Sequence, residues 1–191
     1  MKPVERSDLL ELGAYEQVRE RFRHRILQLK KPRYVALGPA MTVLFENRDT
    51  VLFQVQEMLR TERITNEKAI VHELETYNEL VPGDRELSAT IFIEYPEREE
   101  RERMLVALAG IEDDFFMTAG GDQLAVIPDR RGTDPTRTMA VQYVKFALTP
   151  GAEAALRAAR GPVTIGVNHP AYRAEEPLAP DALASLRDDF G

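Results

Sequence analysis

Residues 115–127 read FFMTAGGDQLAVI. Two short apolar runs, Phe115–Thr118 and Gln123–Ile127, flank Gly120-Gly121. Paired glycines supply the positive φ that a tight hairpin turn needs, so this stretch predicts two antiparallel strands. Arg33–Leu37 and Met41–Glu46, separated by Gly38-Pro39, repeat the pattern. Hairpins make the sheet antiparallel or mixed, and the helical stretches between them make the fold class α+β, with helices packed on the sheet.

The other elements follow from periodicity. Asp8 and Glu11 have the spacing of a capping box, and Leu12, Tyr15, Val18, Phe22, Ile26 and Leu29 then form one apolar stripe that Pro32 ends. A stripe so narrow suits packing on a sheet or pairing with another helix. A helix opens at Asp49 or Thr50, and another follows Thr65-Asn66 and ends at Pro82-Gly83. Leu87–Tyr95 alternates as a strand, with Leu87, Ala89, Ile91 and Ile93 on one face. Pro96 begins a helix with an acidic first turn, which Gly110 stops. Asp129–Pro135 reads as a loop, Thr138–Leu148 as a strand, Pro150–Arg160 as a helix, Val163–Asn168 as a strand and Pro180–Arg187 as a last helix. The expected order is α β β α α β α β β β α β α. It fits one α+β domain over residues 1–191, with a weak seam near Tyr95-Pro96.

With 43% hydrophobic and 30% charged residues, the 191-residue chain has the balance of a folded globular protein. Its net charge of −7 argues against a general nucleic-acid coat or a polybasic membrane anchor. The absence of cysteine excludes disulfides, thiolate metal sites and a cysteine nucleophile. No apolar run reaches the roughly 20 residues of a membrane helix, and the N-terminus carries no signal-peptide pattern, so a cytoplasmic location is expected. Dinucleotide-binding, Walker A, nucleophile-elbow and zincin motifs are all missing.

Candidate chemistry concentrates between Glu46 and Glu79. Glu46 and Arg48 stand at a strand-to-helix junction, where ligand contacts often collect. His72, Glu75 and Glu79 recur on one side of a helix. With Glu57 from the preceding helix they make a candidate metal set of one imidazole and carboxylates, suited to a divalent Fe, Mn or Zn ion. The same residues also fit a solvated face opposite Ile70, Leu74 and Tyr77. Arg48 and Arg60 near Glu57 and Tyr77 have the makings of a site that holds an anion and moves a proton, or of ordinary surface ion pairs. Residues 16–33 carry seven basic side chains, Arg33 among them, against two acids; they point at several angles, as on a solvated helix. His169, ending a strand, reads as a turn histidine.

Leu37-Gly38-Pro39, Thr42 through Thr50 and Phe53 through Ile64 resemble the bacterial family known as domain of unknown function thirty-five-oh-one. Tyr77 through Gly83, Leu87 through Thr90, Ala140 through Tyr143 and Asn168 through Tyr172 match it as well, although the family pattern suggests Asp in place of Asn168. The resemblance covers nearly the whole chain. It implies no assigned activity, and by association it implies a redox or oxidative-stress setting beside rubrerythrin-like and iron–sulfur proteins. Two functional expectations result. One is an accessory or scaffold protein that meets a redox partner, or a second copy of itself, through its first helix. The other is a small enzyme acting on an anionic small molecule between residues 46–49 and the helices carrying Glu57 and His72, with Glu46, Arg48, Glu57, Arg60, His72 and Tyr77 as its catalytic candidates.

Overall fold

The computed structural model describes residues 1–131, 134–158 and 161–190. Its elements are α1 (Leu12–Lys30), β1 (Tyr34–Ala36), β2 (Met41–Glu46), α2 (Arg48–Thr61), α3 (Glu67–Asn78), β3 (Glu86–Ile93) and α4 (Arg98–Ala107), followed by β4 (Phe115–Ala119), β5 (Asp122–Pro128), β6 (Val141–Ala147), α5 (Pro150–Ala158), β7 (Thr164–His169), β8 (Tyr172–Pro177) and α6 (Pro180–Asp188). The expected helix end at Arg160 and the middle of the 129–135 loop lie outside the described residues. All eight strands join one antiparallel sheet in the order β1-β2-β3-β6-β5-β4-β7-β8. Chain from both sides of Tyr95-Pro96 shares that sheet, since β3 pairs with β6.

The fold is therefore α+β with an antiparallel sheet, and the order differs from expectation by one strand. The unexpected β8, Tyr-Arg-Ala-Glu-Glu-Pro, is a charged edge strand that alternates only weakly in hydropathy. It also brings the two sheet edges together. The Tyr172 hydroxyl donates to the Leu37 carbonyl at 2.6 Å and accepts from the Ala40 N–H at 3.1 Å, so β8 touches the β1–β2 turn and the sheet nearly closes into a barrel. Gly38 in that turn has φ +67°, and a Cβ there would stand 2.7 Å from the Tyr172 oxygen. Only glycine meets both demands.

Alternation divides the sheet into an inner and an outer face. Met41, Val43 and Phe45 of β2, Leu87, Ala89 and Ile91 of β3, and Val144 and Phe146 of β6 point inward. Leu105 and Leu108 at the end of α4, Leu156 of α5 and Leu183 and Leu186 of α6 fill the same interior. A second, smaller core lies around α2 and α3, where Val51, Val55 and Leu59 meet Ile70, Leu74 and Leu80, with Tyr143 of β6 packed against them.

At the N-terminus the expected capping box between Asp8 and Glu11 does not form. Asp8 instead accepts from the Glu5 N–H at 2.6 Å and pairs with Arg48 at 2.5 Å, closing a short 3-10 turn, so α1 starts only after Glu11. Tyr15 and Ile26 of the α1 stripe are fully buried within the chain, and Phe22 meets Tyr15 and Phe53 edge-on. Arg33, counted from sequence with a solvated basic run, is 1% exposed. Its guanidinium donates to the Phe45 and Glu46 carbonyls, the Ser185 hydroxyl and both carboxylate oxygens of Asp189, tying α6 to β2.

Candidate functional site: a polar row under the helices

Register places the polar residues of the outer face. Glu46 of β2 pairs with Ser88 of β3, Ser88 with Lys145 of β6, and Lys145 with Ile127 of β5. Partners across an antiparallel ladder put their side chains on the same face, so these four residues form one row across four strands. The next row holds Leu44, Thr90 and Tyr143.

The start of α2 fixes Glu46. Asn47 caps the helix by accepting from the Thr50 N–H at 3.0 Å, and the Thr50 hydroxyl accepts from the Asn47 N–H at 2.9 Å. This reciprocal box aims the Thr50 hydroxyl at Glu46 Oε2, 2.5 Å away, while Thr90 donates to Glu46 Oε1 at 2.7 Å. Glu46 is thus a buried carboxyl held by two hydroxyls. No ion pair reaches it among the described residues.

Beside the row lies a cleft of about 310 Å³, lined by Glu79 and Leu80 after α3, Ile127–Arg130 at the end of β5, and Ser88, Tyr143 and Lys145 on the sheet. Ser88 is 1% exposed, and its hydroxyl is the sole buried side-chain polar atom without a hydrogen-bond partner among the described residues. Lys145 reaches Glu86 Oε2 at 3.0 Å. Burial pushes the Glu86 carboxyl up, but the Gly83 N–H and the Lys145 ammonium outweigh it and hold it below the usual carboxylate range. Arg131 grips both oxygens of Asp129, Oδ1 at 3.0 Å and Oδ2 at 2.5 Å, and also meets Glu79 at 3.2 Å, so Asp129 is held low by that guanidinium. The Tyr143 phenol is pushed up by burial, then by the charges of Glu46 and Asp129, against the opposing charge of Arg131. It keeps its proton at neutral pH and can donate a hydrogen bond.

The sequence-derived candidates divide between this site and other surfaces. Glu46 belongs to the row, Glu79 lines the cleft, and Tyr77 lies close enough to Tyr143 for burial and that neighbour to raise its phenol. The others are engaged elsewhere. Arg48 turns to Asp8 and the Pro3 carbonyl, and Arg60 reaches Glu16 of α1 at 2.6 Å. Glu57 accepts from the Tyr15 hydroxyl at 2.6 Å and from Arg19 at 2.8 Å through each oxygen. α1 covers that side of α2, so Glu57 is drawn away from α3. His72 and Glu75 are exposed on α3. The set Glu57, His72, Glu75 and Glu79 is not brought together: among the described residues no three His, Asp or Glu side chains are grouped to hold a metal ion. His169 makes the expected turn, its Nδ1 accepting from the Ala171 N–H at 3.1 Å.

Ser88, Thr90, Asp129, Tyr143 and Lys145 were missed from sequence. One signal was present: with Leu87, Ala89 and Ile91 on the inner face, Ser88 and Thr90 must share the outer one. Their neighbours depend on strand pairing between residues 44–59 positions apart, which periodicity does not reveal.

The family model described as "Protein of unknown function (DUF3501)" matches residues 3–190. The chain belongs to this family. It is also similar to a solved structure from Burkholderia pseudomallei K96243, described as a novel protein of unknown function, with 35% identity and a TM-score of 0.92 over 100% of both chains. No curated protein matches the chain.

Proposed function

We propose that this protein binds a small molecule in the cleft above the Glu46–Ser88–Lys145 row. The orphaned Ser88 hydroxyl carries the reading. An unpaired buried hydroxyl costs roughly 1–3 kcal/mol, a cost a ligand removes by supplying the missing partner. The cleft volume falls at the small end of ligand sites, and its Leu80, Ile127 and Pro128 surfaces accompany a few polar groups. Of the expected enzyme site, Glu46 and Tyr77 remain beside this cleft, and Tyr143 adds a protonated phenol suited to polarising a bound carbonyl or hydroxyl.

Amide chemical-shift mapping with a library of small polar fragments tests the proposal. Perturbations at Ser88, Tyr143 and Lys145 that disappear in the Ser88→Val variant are expected. Fragments that perturb only other regions would remove it.

An accessory role, in a redox system or another, draws on a different region. Val18 and Leu10 are exposed beside half-buried Phe22 and Leu52, and Arg21 and Arg25 rim the groove between them. With arginines on its rim, this groove fits an acidic, apolar segment of a partner. A synthetic peptide of alternating Leu and Glu residues tests it: binding that weakens with salt and is lost in Arg21→Glu supports the groove, and no binding at low salt removes it.

A further inference from the structure

The donors still available in the cleft define its ligand more narrowly. Ser88 and Lys145 face each other across the β3–β6 ladder, where opposed Cβ atoms stand about 4.5–5.5 Å apart. Among the described residues the Ser88 hydroxyl has no partner. The Lys145 ammonium has three N–H donors, of which Glu86 Oε2 takes one at 3.0 Å. The nearby carboxylates already hold partners of their own: the Glu46 oxygens accept from Thr50 and Thr90, Asp129 accepts from Arg131, and Glu79 Oε2 meets the same guanidinium. None of them meets the Ser88 hydroxyl or the remaining Lys145 N–H groups, so the unanswered groups of the cleft, among the described residues, are donors.

We propose that Ser88 and Lys145 form the seat of a carboxylate, so that the cleft takes a small monocarboxylic acid with its apolar body against Leu80, Ile127 and Pro128. This deepens the ligand-binding reading above and rests on it. One carboxylate oxygen accepts from the Ser88 hydroxyl and the other from the Lys145 ammonium, and both bonds are charge-assisted. A dianion such as a phosphate monoester fits less well. Lys145 is half-answered by Glu86, the Arg131 charge is met by Asp129 and Glu79, and a second negative charge would face Glu46 uncompensated. An amine at this seat would set its ammonium against that of Lys145.

Titration of the full chain with hexanoate, 1-hexanol and hexylamine, followed through the Ser88, Tyr143 and Lys145 amides, tests the proposal. Hexanoate is expected to bind at these amides at least about tenfold more tightly than the other two. Its affinity should fall about tenfold in Ser88→Ala and further in Lys145→Gln. Ser88→Ala removes an unpaired hydroxyl and leaves the fold intact, so a loss of binding there is not a loss of structure. Hexanol or hexylamine binding at the same amides as tightly as hexanoate would overturn the carboxylate assignment and leave the ligand site standing. If none of the three perturbs those amides, the carboxylate seat and the ligand site fall together.

Discussion

Two buried polar clusters flank the end of β2, and they are built to opposite standards. Around Arg33 every donor is answered: the guanidinium meets three carbonyls, a hydroxyl and the Asp189 carboxylate, which also accepts from the Asn47 amide at 3.2 Å. Around Ser88 the accounting stops short: among the described residues one hydroxyl lacks any partner and a carboxyl is held by hydroxyls alone. A saturated cluster fixes one geometry and has nothing left to offer a ligand. An unsaturated one gives up stability that a ligand can restore, which is why the second cluster and not the first is read as a site.

Variants that separate the two clusters should differ in sign. Asp189→Ala leaves Arg33 charged and unpaired at 1% exposure. Breaking such a pair costs about 3–5 kcal/mol, and thermal unfolding should show Tm lower by roughly 10 °C. A drop of only a degree or two would mean that water replaces the carboxylate and that the cluster is not closed. Tyr172→Phe removes the bond between β8 and the β1–β2 turn and should cost about 1–1.5 kcal/mol of unfolding free energy in denaturant titration, with amide exchange accelerating first at Ala40. Ser88→Ala should be neutral or raise stability by up to about 1 kcal/mol, because it deletes an unsatisfied group. A clear loss of stability in Ser88→Ala would show that the hydroxyl is already satisfied and would erase the contrast between the clusters.

A smaller effect concerns pH and the α1–α2 contact. Arg19, and the Tyr15 hydroxyl with it, hold the Glu57 carboxyl below the usual range against the effect of burial. A carboxyl lowered in the folded state contributes stability that is full above its unfolded value. That contribution is lost as pH falls through its folded one. Stability should therefore decline below roughly pH 4, and Glu57→Gln should flatten the decline. An unchanged acid limb in Glu57→Gln would assign it to other carboxylates. Arg60→Ala, which breaks the part-exposed pair with Glu16, should move stability by less than about 0.5 kcal/mol.

Much of the fold was legible because the signals were local. The Gly120-Gly121 hairpin, the Asn66 cap and the Gly110 stop each lie within a few residues of what they decide. The one strand that escaped, β8, has its apolar content reduced to Tyr172 and Ala174 by its place at a charged edge. The placement of candidate residues was legible where one element was enough, as with Glu46 at the end of β2. It was not where they needed partners from far along the chain. Nothing near Glu57 in sequence marks Tyr15 and Arg19 as its partners, and nothing near Ser88 marks Lys145 as its neighbour. Arg33 makes the same point from the other side: as one of seven basic residues it reads as solvated, and only the packing of α6 makes it interior.

The contact between Tyr172 and residues 37–40 also bears on how the molecule behaves among its own copies. An open eight-stranded sheet presents two rows of unpaired amides and carbonyls, each a template on which another chain can add a strand. Here β1 is three residues long, and its turn is covered by a phenol from the opposite edge, while β8 carries Arg173, Glu175 and Glu176. Short length, edge charge and the closing phenol thus work together against cross-β association, and loss of the Tyr172 hydroxyl is expected to raise slow aggregation at high protein concentration.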